Sequence, residues 1–161
     1  MSITNIKTHC IESEYEPMNS QKPTFTFKKE DFKHQSYDKV RYGDTDRQGH
    51  INNAMFVRYF ETSRTEILYD PNHPLHEENT SFVIASMQVE FLNEIHWPGN
   101  VALYTNVLRL GNSSVTFEQV IYQGETLCSY STCVIVHVSN DTKKSIPLTN
   151  KAVQYLETLK K

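Results

Sequence analysis

Val, Ile, Phe, Thr and Tyr crowd four stretches of the chain: Ser81 to Glu94, Asn100 to Leu110, Ser113 to Gln123 and Thr126 to Val138. β-Branched and aromatic residues in such runs predict strands. The links between them read as turns. Pro98-Gly99 suits a type II turn, while Gly111-Asn112 and Gln123-Gly124 are short links holding a residue that tolerates positive φ. Consecutive antiparallel strands are therefore expected. Upstream, Phe25 and Phe27 alternate with Thr26 and Lys28, and a second extended stretch runs from Gln35 through Tyr37, Val40 and Tyr42. Gly43 to Gly49 breaks it. Asn52 or Asn53 then caps a helix through Ala54, Met55, Phe56, Val57, Tyr59, Phe60, Ile67 and Leu68, which ends before Pro71. Its wide apolar stripe marks a core element. In the tail, Ala152, Val153, Tyr155, Leu156 and Leu159 recur at helical spacing and predict a short terminal helix from Asn150 to Lys161. One strand region, one long helix and then hairpin strands make an α+β order, because an α/β chain would alternate strand and helix throughout.

Residues 1–24 carry Glu12, Glu14, Glu16, Pro17 and Pro23 among scattered apolar positions and follow neither period, so they predict a flexible arm ahead of a single domain over 25–161. A total of 161 residues fits one domain that needs no disulfide or structural metal to bury a core. Apolar residues at 38% and charged residues at 22% exclude collagen, coiled coil and wholesale disorder. Sixteen Lys and Arg against nineteen Asp and Glu give a net charge of -3, which argues against nucleic acid or an anionic membrane as the main partner. Cys10, Cys128 and Cys133 fit neither a disulfide framework nor a CxxC site, so a reducing cytoplasm is the expected compartment. Neither a secretory leader nor a membrane span is expected.

Chemistry concentrates between Tyr42 and Arg64. A strand end, a polar loop with Asp44, Asp46 and His50, and the opening of an apolar helix follow one another. The first free N–H groups of a helix, at its positive dipole end, face that loop, an arrangement suited to a developing oxyanion.

Tyr42-Gly43-Asp44-Thr45-Asp46, then Gly49-His50-Ile51-Asn52-Asn53, then Tyr59-Phe60-Glu61 with Arg64, resembles the hotdog-fold acyl-CoA thioesterases of the 4-hydroxybenzoyl-CoA thioesterase type. Gly-His-x-Asn-Asn points to the long-chain acyl-CoA branch, since the aryl-CoA branch carries apolar residues at the positions of His50 and Asn52. Arg109 to Glu118 is similar to the family's third hairpin. The resemblance spans residues 33 to 160. It implies a long helix wrapped by a five- or six-stranded antiparallel sheet, and a homodimer or homotetramer with sites across the subunit interface. It makes Asp46 the catalytic carboxylate and the backbone N–H of Asn53 the donor that polarises the thioester carbonyl. It requires no metal and no organic cofactor.

Asp46 as nucleophile and Asp46 as general base on water both fit, because a thiol leaves readily enough to need no Ser/His/Asp triad. His50 either bridges loop backbone or touches substrate or water. Gly49, Asn52, Tyr59, Ser113 and Ser114 complete the expected substrate-binding set, with loop-fixing, capping and turn roles as their ordinary alternatives. Glu61 and Arg64, at i and i+3, suit a surface or interface ion pair. His73-Pro74-Leu75-His76 lacks the i, i+4 geometry of a zinc pair. Hydrolysis of acyl-CoA to free acid and CoA is the leading expectation. Acyl carrier protein thioesters, or a non-catalytic acyl-CoA binder, are the alternatives. A dehydratase is disfavoured by the lack of an Asp-x-x-x-x-His run.

Overall fold

The computed structural model describes residues 25–161, so the arm expected over residues 1–24 lies outside the described residues. In chain order the elements are β1 (His34–Val40), α1 (Asn53–Leu68), β2 (Thr80–Phe91), β3 (Gly99–Leu110), β4 (Ser114–Gln123), β5 (Thr126–Ser139) and α2 (Asn150–Thr158). The five strands form one antiparallel sheet in the order β1-β3-β4-β5-β2. With α1 laid across one face, this is the α+β hotdog architecture.

Helix α1 starts where its cap dictates. The Asn52 side chain accepts the Ala54 N–H at 2.9 Å, and at the far end the Tyr69 N–H closes on the Thr65 carbonyl before Pro71 forbids continuation. Strand alternation supplies the surface that α1 covers. Val101, Leu103 and Val107 of β3 and Val115, Phe117 and Ile121 of β4 turn toward the helix and bury Phe56, Phe60, Ile67 and Leu68. Helix α2 adds Ala152, Leu156 and Leu159 to the same core. The residues between those inward positions face the other way, so Tyr104, Val120 and Tyr122 form a separate aromatic patch.

The sequence places a strand at Phe25 to Lys28, and none forms there. Phe25 and Phe27 instead stack on Tyr130, with ring centroids at 4.9 and 5.0 Å, and Phe27 accepts the Tyr122 hydroxyl through its backbone carbonyl. Their alternation reflects one side packed on the outer aromatic patch and one side in solvent. No ladder is involved.

A second difference concerns topology. Trp97–Pro98 is cis, Gly99 opens β3, and β2 and β3 are not hairpin partners. Residues 92–98 instead carry the chain across the end of the sheet from edge strand β2 to β3. Three strand spacings amount to ~14 Å, within reach of seven residues. Strand β2 pairs with β5 in register Thr80 to Ser139 and Phe91 to Ser129, and leaves its other edge without a strand partner among the described residues. The remaining hairpins stand. Gly124 takes φ +59 in the two-residue link between β4 and β5, where glycine is favoured, and the Gly111 N–H bonds to the Ser114 carbonyl at 2.8 Å.

A polar seam runs between α1 and the sheet. The Gln119 amide donates to the Phe60 carbonyl and to Thr105 Oγ1, both at 3.1 Å, and Ser63 meets Thr105 at 2.8 Å. Arg64 is drawn into this seam, donating from Nη1 to Gln119 Oε1 at 2.8 Å, and forms no surface ion pair with Glu61. No helix among the described residues is long and apolar enough to cross a membrane.

Candidate active site

Residues 44–52 fold into a loop braced by its own backbone hydrogen bonds. Thr45 and Ile51 form an antiparallel bridge, the Asp46 N–H donates to the His50 carbonyl at 2.8 Å, and the Gly49 N–H returns to the Asp46 carbonyl at 3.1 Å. The turn Asp46-Arg47-Gln48-Gly49 closes on Gly49 at φ +86, a conformation that costs an L side chain ~1–2 kcal/mol. Gly49→Ala finds open space around its new Cβ but keeps that strain, so it should lower stability by ~1 kcal/mol or twist the turn that carries Asp46. Chemical denaturation and turnover measured together check this.

Two further bonds pin the loop to its surroundings. The Ile51 N–H donates to the Ile95 carbonyl and the Asn52 N–H to the Asp44 carbonyl, both at 2.9 Å, while His50 bridges His96. The crossover after β2 thus becomes a wall of the site, and Gln123 holds that wall through both the N–H and the carbonyl of His96, at 3.0 and 2.7 Å.

The resulting cleft, about 240 Å³, is lined by Asp46, His50 and Asn53 from the loop and helix start, by Phe56 from α1, and by Phe91 and Glu94 from the end of β2 and the crossover. Asp46 Oδ1 accepts the Gln48 N–H at 2.8 Å, and Oδ2 has no partner among the described residues. One carboxylate oxygen is therefore fixed by the turn and the other is available. Asn53 is the first helical residue. Its N–H finds no acceptor among the described residues, because Asn52 Oδ1 serves Ala54 and the Asn52 carbonyl serves Met55. The dipole end of α1 adds partial positive charge at that amide.

Glu94 and His96 were not legible as site residues in the sequence. Glu94 Oε2 lies 3.5 Å from His50 Nε2 and 3.4 Å from His96 Nε2, and the two imidazoles meet edge to face with centroids 5.5 Å apart. A carboxylate between two imidazoles pairs with whichever carries a proton and orients both. Only the topological crossing of residues 92–98 brings them to the cleft, so no local motif signals it.

Other expected members fall elsewhere. Tyr59 is 1% exposed and lies outside the cleft, its hydroxyl donating to Asp44 Oδ2 at 2.8 Å, while the same oxygen accepts the Arg41 N–H at 3.0 Å. Burial and this carboxylate push the Tyr59 phenol well above its usual range. Its place is the underside of the loop, a correction explained by the direction of the apolar stripe on α1. Tyr59→Phe removes a buried donor to a carboxylate and should cost ~1.5–3 kcal/mol in urea unfolding with little change in turnover per folded molecule. Ser113 and Ser114 sit at the opposite end of the sheet. Strand β3 runs 12 residues from Gly99, beside the cleft, to Leu110, a distance of ~35–40 Å. Within one chain they cannot meet a ligand held at Asp46. Asn52 caps the helix and Gly49 makes the turn, so both shape the site through backbone geometry. His76 packs on the Tyr69 ring at 4.9 Å, remote from this cleft.

The chain and its fold have counterparts among known proteins. A family model described as the thioesterase-like superfamily matches residues 40–156. The uncharacterized protein YsmA of Bacillus subtilis is 30% identical over 121 residues, covering 73% of this chain and 80% of its own. The acyl-CoA thioester hydrolase YbgC of Escherichia coli is 29% identical over 104 residues, covering 62% of this chain and 78% of its own. The structure of a predicted thioesterase from Bacillus stearothermophilus superposes with a TM-score of 0.72 at 29% identity, over 79% of this chain and 96% of that one. The match spans the loop, the helix and every strand after them, and on that ground the chain belongs to the thioesterase-like superfamily.

Proposed function

We propose that this protein hydrolyses acyl-CoA thioesters to free acid and CoA, with Asp46 as the reacting carboxylate and the Asn53 N–H as the oxyanion donor. The observation that carries this reading is one cleft lined by both residues, with Asp46 Oδ2 and the Asn53 amide each lacking a partner among the described residues. A carbonyl bound there meets a donor for its oxygen and a carboxylate for its carbon, or for a water beside it. Either Asp46 takes a proton from water as that water adds to the carbonyl carbon, or it adds directly and water cleaves the resulting anhydride. In both routes the C–S bond breaks as the tetrahedral oxyanion collapses, and the thiolate takes up a proton. His50, backed by Glu94, supplies a proton-bearing group in the same cleft. Phe56 and Phe91, edge to face at 5.2 Å, offer the apolar surface for the acyl group.

The long-chain branch, a two-copy or four-copy assembly and a cytoplasmic setting belong to the same proposal. The free, buried thiols of Cys128 and Cys133, whose pKa values burial raises, are inert in a reducing compartment. The experiment that separates the carriers compares one acyl group presented on CoA and on acyl carrier protein. Faster turnover of the CoA ester is expected. Turnover of the carrier protein ester alone would move the reading to an acyl carrier protein thioesterase.

A further inference from the structure

We infer that Glu94 is a positioning residue for the proton that leaves with the thiol: it holds the His50 ring so that Nδ1 of that ring protonates the departing sulfur. This rests on the proposed thioester hydrolysis and names the proton donor of that same site.

The starting observation is how firmly the crossover holds Glu94. Ahead of it, the Leu92 and Asn93 N–H groups donate to the Cys128 carbonyl at 2.9 and 3.1 Å, and the Asn93 side-chain amide donates to the Leu127 carbonyl at 2.8 Å. Behind it, the Ile95 carbonyl accepts the Ile51 N–H at 2.9 Å, and Gln123 holds both the N–H and the carbonyl of His96. The backbone is thus anchored on both sides of Glu94, which is what a side chain needs in order to orient another. From that anchor its Oε2 lies 3.5 Å from His50 Nε2 and 3.4 Å from His96 Nε2. Contacts of this length in an unliganded site tighten when substrate binds.

Ionised, the Glu94 carboxylate has acceptors alone. The His50 Nε2 that faces it therefore carries a hydrogen, and the proton that His50 gains and loses sits on Nδ1. That nitrogen has no partner among the described residues, and its ring lines the same cleft as Asp46 and Asn53. One ring nitrogen is held and the other is left to react, the division of labour by which a third group orients an acid or base. His96 shares the same carboxylate oxygen and keeps it turned toward His50. Thioester cleavage needs such a donor at one point. As the tetrahedral oxyanion collapses, the C–S bond breaks and its electron pair goes to sulfur. The Nδ1–H bond breaks with it and an S–H bond forms, which leaves His50 neutral. The His50 side chain is 31% exposed, so water returns the proton to Nδ1 before the next turnover.

Two esters of one acyl group separate this role from a structural one. An alkyl thiol such as CoA leaves faster when protonated, whereas an aryl thiolate, the weaker base, leaves unaided. Glu94→Gln keeps the size of the side chain and removes its charge, so kcat with acyl-CoA should fall ~10-fold or more, and the loss should shrink to a few-fold with the S-phenyl ester. His50→Gln should show the same contrast with a larger loss on acyl-CoA, ~10²-fold. In the His50→Gln background, Glu94→Gln should cost little more, because it acts through that ring. This cycle uses acyl-CoA alone and decides the matter even where the phenyl ester is a poor substrate. Circular dichroism checks that every variant is folded. Equal losses on the two esters, or a double loss equal to the product of the single ones, would overturn the positioning role while leaving hydrolysis at Asp46 standing. Release of neither thiol by the unmodified chain would overturn the proposed function, and this role with it.

Discussion

Asp46→Asn is expected to reduce thioester turnover by ~10²–10⁴ while leaving the fold and substrate affinity nearly unchanged. The substitution preserves size and the acceptor that holds the Gln48 N–H at 2.8 Å, so the turn survives. What it removes is the negative charge and basicity of the second oxygen. Asp44→Asn is the comparison that gives this result meaning. Asp44 is buried and spends its carboxylate on the Arg41 N–H and the Tyr59 hydroxyl, so its loss should appear as lower stability, with turnover per folded molecule largely kept. Steady-state kinetics and urea unfolding on both variants separate the roles. If Asp44→Asn proves the more damaging to turnover, the assignment of the reacting carboxylate is wrong.

Asn53→Pro is expected to cost ~10²–10³ in turnover, the range for a lost oxyanion donor, with α1 intact. Proline is favoured at the first helical position because the N–H it lacks has no intrahelical acceptor there. The residue before it already sits at φ -57 and ψ 137, which proline requires of its neighbour. The change therefore removes one N–H and little else. Asn53→Ala keeps that N–H and should keep most activity. Equal losses in the two would make the Asn53 side chain, rather than its backbone N–H, the group that acts on the carbonyl.

Much of this site is local in sequence, which is why it could be read before the structure. Asp46, Gly49, His50, Asn52 and Asn53 fall within eight consecutive residues, and a turn followed by a capped helix brings them together without help from distant segments. Helix α1 was legible because its apolar stripe, its asparagine cap and Pro71 agree. What escaped depends on the sheet order. Pro98-Gly99 looks like a hairpin turn, yet β2 is placed at the far edge, and the crossing carries Glu94 and His96 to the cleft. Ser113 and Ser114 are set apart from Asp46 within the chain for the converse reason, since a strand's length separates them. Phe25 and Phe27 alternate like a strand because one side packs on Tyr130. Arg64 reads as a surface partner of Glu61, but the buried Gln119 lies nearer to hand. Helical spacing says which face a residue shares and is silent on how deep that face is buried.

Whether Asp46 drives thioester hydrolysis is decided by release of free thiol from a panel of acyl-CoAs varied in acyl length and class, with the unmodified chain and Asp46→Asn in parallel. Release from at least one ester by the unmodified chain is expected, with a loss of ~10²-fold or more in the variant, both proteins folded and binding the ester. Binding without release by the unmodified chain, or equal release by the two proteins, would contradict a catalytic role for this carboxylate.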